Sequence, residues 1–459
     1  MRSRLALVAT CLALLAAACR PAARPAAGPP LTLAPDTSWV TRSALYEVNI
    51  RDFSQTGDLR GVTAGLDRIQ ASGADVIWLM PVHPVGVVNR KGPLGSAYSV
   101  RDYHSIDSAF GTSEDFRSLV GAAHERGMKV ILDWVPDHTA WDHAWIREHP
   151  DWYVHDDSGR ISVPRDADGK LTDWTDVAQL DFRNTGLRAA MIAEMRYWLV
   201  EMGLDGFRVD VAGFVPDAFW SECLPALRAA VPRPILLLAE WGDLKMHRLG
   251  FDLTYAWDAY SRLKVVWRGA WADSLVRAEV ADVRGLPAGG MRLRFTTNHD
   301  ETAWDNPPVT LFGGAAGARA AFVATALLPG RPLLYNGQEV ENPQKLGLFV
   351  RDSLVWAQRD TLASRPFYRR VLDLARTDSV FLRGGGEFAA VETSAPRDVI
   401  AYRRGGTLVL VNARSRQVRF TVTGVAVDGA RDLLTDRVQR GGAVALPAYG
   451  AVVLVRRAP

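Results

Sequence analysis

The feature that most constrains this chain is the repeated alternation of a short apolar run with a segment of helical pattern. Segments such as 59–72 and 185–202 carry apolar residues at helical spacing, and Thr112 with Asp115 predicts a capping box at the start of another helix. Polar residues follow each apolar run, and the runs are 44–50, 75–81, 128–133, 206–210, 235–240, 251–255, 293–298 and 332–335. Eight strands separated by helices predict an α/β fold that closes as a (β/α)8 TIM barrel. A doubly wound sheet is the alternative, but it gives no reason for acids after so many strands.

Two of these runs end in a carboxylic acid and indicate chemistry. Asp210 closes the run 206–210, and Glu240 closes the run 235–240 about one strand-helix-strand unit later. Arg208 and Asp210 point to the same side of a strand, so the guanidinium favours the ionised carboxylate. Two acids at the carboxyl ends of adjacent parallel strands suit the nucleophile and the acid/base of glycoside hydrolysis. Taken singly, each could equally be an ordinary acid at a strand end.

The rest of the chain divides into segments that differ in hydrophobic periodicity and composition. Residues 134–184 interrupt the alternation after the third strand, lack a clear period, and are rich in Asp, His and Trp. A long insertion of this kind is usually functional. From residue 380 the pattern becomes alternating apolar runs with a glycine turn, which predicts a C-terminal all-β sandwich domain over 380–459. The barrel is therefore expected to span 40–379.

The N-terminus has the pattern of a targeting segment. Arg2 and Arg4 precede an apolar stretch that ends in three alanines and Cys19, and it is too short for a membrane span. Residues 1–18 resemble the signal peptide of a bacterial lipoprotein, in which Cys19 would be acylated and anchor the protein to a membrane. Residues 19–39 form a Pro/Ala-rich tether. An ordinary secretory signal cleaved nearby is the alternative, and export is expected in both cases.

Composition limits the partners and the redox chemistry. The 459 residues are 48% hydrophobic and carry a net charge of +3, which gives no indication of a nucleic-acid partner. After removal of the signal and acylation of Cys19, Cys223 would be the one free thiol, so no intrachain disulfide is expected.

Four ordered motifs resemble those of the α-amylase family, glycoside hydrolase family thirteen, over about residues 40–455. They lie at the ends of predicted strands and read DWVPDH at 133–138, GFRVD at 206–210, AE at 239–240 and TNHD at 297–300. Supporting stretches are AYSVRDY at 97–103, QLDF at 179–182 and PLLYNGQE at 332–339. Their joint order is far more specific than any single motif.

The resemblance implies a role for each matching residue. Asp210 would be the nucleophile, Glu240 the general acid/base, and Asp300 the third carboxylate that holds sugar hydroxyls. An anion close to an oxocarbenium-like transition state is stabilising, and neighbouring carboxylates favour the protonated form of Glu240. The implied substrate-binding residues are Tyr98, Asp133, His138, Arg208 and His299, with Asp133 helping to hold Arg208.

Two positions depart from the family pattern. Asp137 stands where the family often has an asparagine that binds a structural calcium ion, and an aspartate can also supply a hard oxygen ligand. The resemblance thus implies a calcium site at Asp137, although the chemistry requires no cofactor. Val211-Ala212-Gly213 follow the expected nucleophile, where many endo-acting amylases of the family carry a Lys-His pair. The absence of this pair argues against exclusive action on long starch chains.

The expected function is a retaining α-glycosidase acting on the α-1,4 bonds of maltooligosaccharides or starch fragments. A transglycosylase or isomerising enzyme of the same family is the first alternative, since it shares the glycosyl-enzyme step but excludes water. A non-catalytic, surface glycan-binding lipoprotein is the second, and the joint presence of Asp210, Glu240, Asp300 and Arg208 argues against it.

Overall fold

The computed structural model describes residues 39–166, 168–354, 356, 364–382 and 387–456. Ten strands lie in the first three quarters of the chain: β1 (Leu45–Val48), β2 (Val76–Leu79), β3 (Lys129–Trp134), β4 (His138–Ala140), β5 (Val177–Gln179), β6 (Gly206–Val209), β7 (Leu236–Ala239), β8 (Leu253–Tyr255), β9 (Met291–Arg294) and β10 (Arg331–Tyr335). All of them except β4 and β5 form one closed parallel barrel, in the order β1-β10-β9-β8-β7-β6-β3-β2. The predicted (β/α)8 barrel is confirmed.

The barrel interior is closed by apolar side chains, so the barrel is a packed core. Leu45, Trp78, Ile131, Leu253 and Leu333 belong to one buried cluster, and each comes from a different strand. Such layers of large side chains are typical of eight-stranded parallel barrels. The seventh barrel strand, predicted over 293–298, ends earlier, because residues 295–298 leave the sheet before the helix His299–Trp304 begins.

Helices and 3-10 turns connect the strands. The segment predicted as one helix over 59–72 is two short helices that meet at Gly65. A Cβ at Gly65 would lie 2.3 Å from the Phe53 ring, so only glycine allows this close approach. The predicted capping box is confirmed, since Thr112 and Asp115 each accept a hydrogen bond from the other's backbone.

The α-helices of the described residues are Ile50–Phe53, Leu59–Ala64, Leu66–Ala71, Ser113–Glu125, Trp145–Glu148, Thr185–Val200, Asp217–Ala230, Lys245–Leu249, Trp257–Trp267, Asp273–Gly285, His299–Trp304, Pro308–Leu311, Ala315–Ala326, Ser364–Thr377 and Ser379–Leu382. None of the helices in this described part is long and apolar enough to cross a membrane.

The insertion after β3 contributes little regular structure. Its strands β4 and β5 pair antiparallel, with His138 opposite Gln179. The helix Trp145–Glu148 and the 3-10 turn Pro150–Trp152 lie between them. This pairing places His138 at the carboxyl end of the barrel, directly beyond β3.

The last part of the chain is antiparallel. The remaining strands are β11 (Phe388–Ala390), β12 (Val399–Arg404), β13 (Thr407–Asn412), β14 (Val418–Thr421), β15 (Arg431–Asp432), β16 (Ala443–Leu446) and β17 (Ala451–Val455). They form a five-stranded sheet in the order β11-β12-β13-β17-β15 and a two-stranded sheet of β14 and β16. Buried side chains of both sheets pack together, which confirms the predicted all-β unit.

Candidate active site

Three carboxylates meet at the carboxyl ends of the barrel strands. Asp210 follows β6, Glu240 follows β7, and Asp300 lies in the first turn of the helix after β9. All three line one cavity of about 560 Å³, together with Tyr98, His138 and His299. Asp210 and Asp300 are 90 residues apart in the sequence. They meet because the carboxyl ends of all parallel strands lie at the same edge of the barrel.

Arg208 is the charge that organises two of these acids. Its guanidinium is fully buried, and Nη1 donates to Asp133 at 2.7 Å and to Asp210 at 2.9 Å. Nη2 lies 2.9 Å from Glu240 Oε1, but the two groups do not meet the geometry of a hydrogen bond. Arg208 therefore holds Asp210 more firmly than it holds Glu240.

The register of the sheet explains these contacts. Asp133 is opposite Arg208 in the pairing of β3 with β6, so both side chains leave the sheet on the same side. Gly206 starts β6 with a φ of +150°, and a Cβ there would lie 2.0 Å from the carbonyl oxygen of Leu236. Glycine at this position lets β6 approach β7 closely, and so brings Arg208 to Glu240.

The backbone after the predicted nucleophile is strained. Val211 has a φ of +35° and a ψ of +44°, a left-handed conformation that a β-branched residue rarely adopts. In this conformation its N–H donates to Glu240 Oε2 at 2.8 Å. The turn thus fixes the Glu240 carboxyl beside Asp210, and the strain is located where the site needs that contact.

A second network joins Asp300 to the far side of the barrel. His299 Nδ1 donates to Glu47 at 2.5 Å, and His299 Nε2 lies 3.2 Å from Asp300 and 2.7 Å from the Tyr98 hydroxyl. The Tyr98 hydroxyl in turn donates to Asp133 at 2.9 Å. The Tyr98 ring stacks on His299 with 5.3 Å between ring centroids. These bonds connect Asp300 through Tyr98 and Asp133 to Arg208, which is bonded to Asp210 and forms an ion pair with Glu240.

Burial and neighbouring charges shift the proton affinities in different directions. Burial raises the pKa of both Asp210 and Glu240, against the opposite effect of Arg208. Asp300 is also subject to desolvation, but the charge of His299 outweighs it and lowers the pKa of Asp300. Desolvation acts to lower the pKa of His299, yet Asp300 and Glu47 outweigh it and raise the pKa. The site thus holds one ionised acid beside an imidazolium and two acids that retain protons more readily.

The five predicted substrate-binding residues occupy two layers. Tyr98, His138 and His299 line the cavity. Asp133 and Arg208 have no exposed surface and contact Asp210 and its neighbours from behind the cavity. The structure brings the eight residues predicted for catalysis and substrate binding together. Asp137 lies beside His138, and Cys19 lies outside the described residues.

The side chain of Asp137 has few neighbours that could share a metal ion with it. It is buried and lies 3.3 Å from His138 Nδ1. Within the described ranges, no group of three or more His, Cys, Asp or Glu side chains could hold a metal ion. Calcium also binds carbonyl and water oxygens. The calcium site at Asp137 therefore stays a prediction.

The residues of the site that were missed in the sequence include one buried acid and three aromatic residues. Glu47 is a fully buried acid in the apolar run of β1, and an acid in such a run is a signal that could have found it. Trp174, Trp304 and Phe349 line the cavity, but none of the strands and helices predicted from the sequence includes them, although Trp304 ends the helix His299–Trp304. No local pattern distinguishes them from other aromatic residues.

Comparison with known proteins agrees with this geometry. The family model of the alpha amylase catalytic domain matches residues 47–229. The crystal structure of an alpha-amylase from Lactobacillus plantarum superimposes with a TM-score of 0.80 at 30% identity, and covers 91% of this chain and 99% of that one. The chain belongs to the α-amylase family, whose members are glycoside hydrolases and transferases.

Curated relatives include both kinds of enzyme. Alpha-amylase MalA of Haloarcula japonica is 30% identical over 389 residues, which is 80% of this chain and 54% of that protein. An alpha-1,4-glucan:maltose-1-phosphate maltosyltransferase of Rhodospirillum rubrum is 29% identical over 323 residues, which is 66% of this chain and 44% of that protein. The chain thus spans about half the length of these relatives.

Proposed function

We propose that this protein is a retaining α-glycosidase that hydrolyses α-1,4 bonds in short maltooligosaccharides. The observation that carries the proposal is the convergence of Asp210, Glu240 and Asp300 on one cavity, with Arg208 bonded to Asp210. Two carboxylates that flank a sugar bond, with a third group that binds its hydroxyls, meet the needs of glycoside hydrolysis.

In the proposed reaction Asp210 attacks the anomeric carbon while Glu240 protonates the departing glycosidic oxygen. The resulting glycosyl ester on Asp210 is then attacked by a water that gives its proton to Glu240, which restores both acids. Burial raises the pKa of Asp210 in the free site, and the bond from Arg208 opposes this by favouring the ionised carboxylate that attacks. Burial and the neighbouring Asp300 favour the protonated form of Glu240.

Glu240 must change its contacts to act as an acid. Its Oε1 faces Arg208 without a hydrogen bond, and its Oε2 accepts the Val211 N–H. Oε1 is the atom with the weaker contact, so it is the one that turns toward the glycosidic oxygen when a sugar enters. Hydrogen bonds in a free site often tighten only with substrate bound.

The test is product analysis. The protein is incubated with maltose, maltoheptaose, isomaltose and trehalose, and the products are separated by chromatography. Release of shorter maltooligosaccharides whose first anomer by proton NMR is α supports the proposal. An initial β-anomer contradicts retention, and products longer than the substrate, or trehalose made from maltose, indicate the transglycosylase or isomerase alternative.

For the N-terminal segment we propose export and a lipid anchor on Cys19. The support is the sequence pattern of a basic start, an apolar stretch and a small-residue run before the cysteine. Mass spectrometry of the mature protein would show a diacyl or triacyl group on Cys19. An unmodified N-terminus downstream of Cys19 contradicts the anchor.

A further inference from the structure

The two loops that follow β2 and β10 meet at one side of the active-site cavity. Lys91 and Ser96 of the first loop and Leu348 and Phe349 of the second all line the cavity. The N–H of Leu94 donates to the carbonyl oxygen of Phe349 at 3.1 Å, so the loops are bonded to each other.

Arg51 joins the two loops through hydrogen bonds to carbonyl oxygens of both. Its guanidinium, 9% exposed, donates through Nη1 to the carbonyl oxygens of Gly95 at 2.7 Å and Leu348 at 3.2 Å, and through Nη2 to Leu94 at 3.2 Å. Three hydrogen bonds from one buried charged group hold two otherwise irregular segments in a fixed relation.

The contact between the loops is also close. Gly92 has a φ of +63°, and a Cβ there would lie 2.7 Å from the Phe349 Cβ. Asp52, next to Arg51, accepts the N–H of Asp352 at 2.6 Å and so fixes the far end of the second loop. We call residues 91–96 with 345–350, joined by Arg51, the end wall.

The end wall lies on the side of the sugar that the enzyme keeps. Glu240 protonates the departing oxygen, so the leaving group is on the Glu240 side of the cavity. Phe349 of the wall packs against Trp304, and the Trp304 side chain contacts Asp300, the acid assigned to the hydroxyls of the retained sugar. A chain attached to the retained sugar extends toward its non-reducing end, and there it meets the wall.

Trp304 provides a surface between Asp300 and the wall. Trp304 is 67% exposed although it lines the cavity and contacts the Phe349 ring at a centroid distance of 6.0 Å, so most of the indole surface stays open. An open aromatic face of this kind suits one pyranose ring, because ring C–H groups pack on it while hydroxyls stay hydrated. The space before the wall thus accommodates a second glucose.

We infer that the end wall makes this enzyme exo-acting, so that it removes units of one or two glucose residues from the non-reducing end. This inference rests on the proposed hydrolysis of α-glucans and adds which bond of the chain is cut. Arg51 is the positioning residue that keeps the wall closed.

The experiment uses 4-nitrophenyl maltoheptaoside with the non-reducing end either free or blocked by a 4,6-ethylidene group. The wild-type protein should turn over the free substrate at least about 100-fold faster, because the blocked end clashes with the wall. Arg51→Ala should bring this ratio below about tenfold by raising turnover of the blocked substrate. Arg126→Ala, which removes an arginine with a similar carbonyl contact far from the cavity, should leave the ratio unchanged.

Two further readouts guard against a variant that fails to fold. Trp304→Ala should shift the first product of maltoheptaose from maltose toward glucose without changing the ratio of free to blocked substrate. In the Glu240→Gln protein, tryptophan fluorescence should show at least about tenfold tighter binding of the free than of the blocked substrate. Equal cleavage of the free and blocked substrates, equal binding of the two, or early release of mid-length products from maltoheptaose would contradict the proposed role of the end wall. A protein that binds with this preference but hydrolyses nothing retains the wall and loses the hydrolytic proposal.

Discussion

The acids that precede barrel strands and the acids at the carboxyl ends of the strands differ in their hydrogen-bond and ion-pair partners. Asp75, Asp205 and Asp252 each come directly before a strand, and each accepts a backbone N–H from the start of the neighbouring strand. Asp252, for example, accepts from Leu237 at 2.8 Å and pairs with Arg228 at 2.9 Å. Each of these carboxylates therefore has a specific backbone donor and a cation.

The acids at the carboxyl ends of the strands are not matched in this way. Asp133, Asp210 and Glu240 all contact the one guanidinium of Arg208. Burial raises the pKa of Asp210 and Glu240, and the neighbouring carboxylates add to this effect. Their negative charge is compatible with a transition state that develops positive charge. The acids at the amino end of the barrel are paired and stabilise the fold. The acids at the carboxyl end outnumber their cation, and this costs stability where reactivity is needed.

The largest expected effect is at the carboxyl end. Asp210→Asn and Glu240→Gln should each lower kcat by about 10⁴-fold, since each removes a group that forms or breaks a bond. Because each change also relieves carboxylate repulsion, the free energy of unfolding in urea should stay equal or rise. Near-normal kcat, or a marked loss of stability, would contradict the comparison.

The complementary change is at the amino end. Asp252→Ala leaves Arg228 and the Leu237 N–H without their partner, and should cost about 3–5 kcal/mol of unfolding free energy. The kcat of the folded fraction should stay within about twofold of wild type, because the site is at the other end. A tenfold fall in kcat would show that the two ends are coupled.

Glu47 tests whether a buried acid of the carboxyl end acts through charge. Glu47→Gln removes an anion that raises the pKa of His299, so the imidazolium should lose its proton at lower pH. The alkaline limb of the pH profile of kcat/KM should move to lower pH, with a loss of about 10- to 100-fold near pH 8. A loss of equal size at pH 5.5 and pH 8 would indicate a purely structural role.

The smallest effect concerns stability at the amino end. Burial lowers the pKa of His247 to about 4 from the ordinary 6.5, so the unfolded chain binds a proton in this window that the folded chain does not. Its contribution to stability is therefore lost as the pH falls from about 6.5 to 4. His247→Gln should lose about 2 kcal/mol less than wild type between pH 7 and pH 5, measured by urea unfolding. An unchanged pH slope would contradict this assignment.

The sequence alone determined where the strands lie and which acids follow them. Apolar runs and helical spacing are local properties, so the barrel, the capping box at Thr112 and the positions of Asp210 and Glu240 could be predicted. Local patterns did not predict the split at Gly65, because it depends on a contact with the ring of Phe53. They also did not predict the early end of β9, because it depends on the pairing with β10.

Only the tertiary structure decided which groups meet. Glu47 and His299 are 252 residues apart, and Arg51 reaches Leu348 across 297 residues, because β1 closes the barrel against β10. No window of sequence carries such a pairing, since it depends on the closure of the sheet rather than on a run of residues.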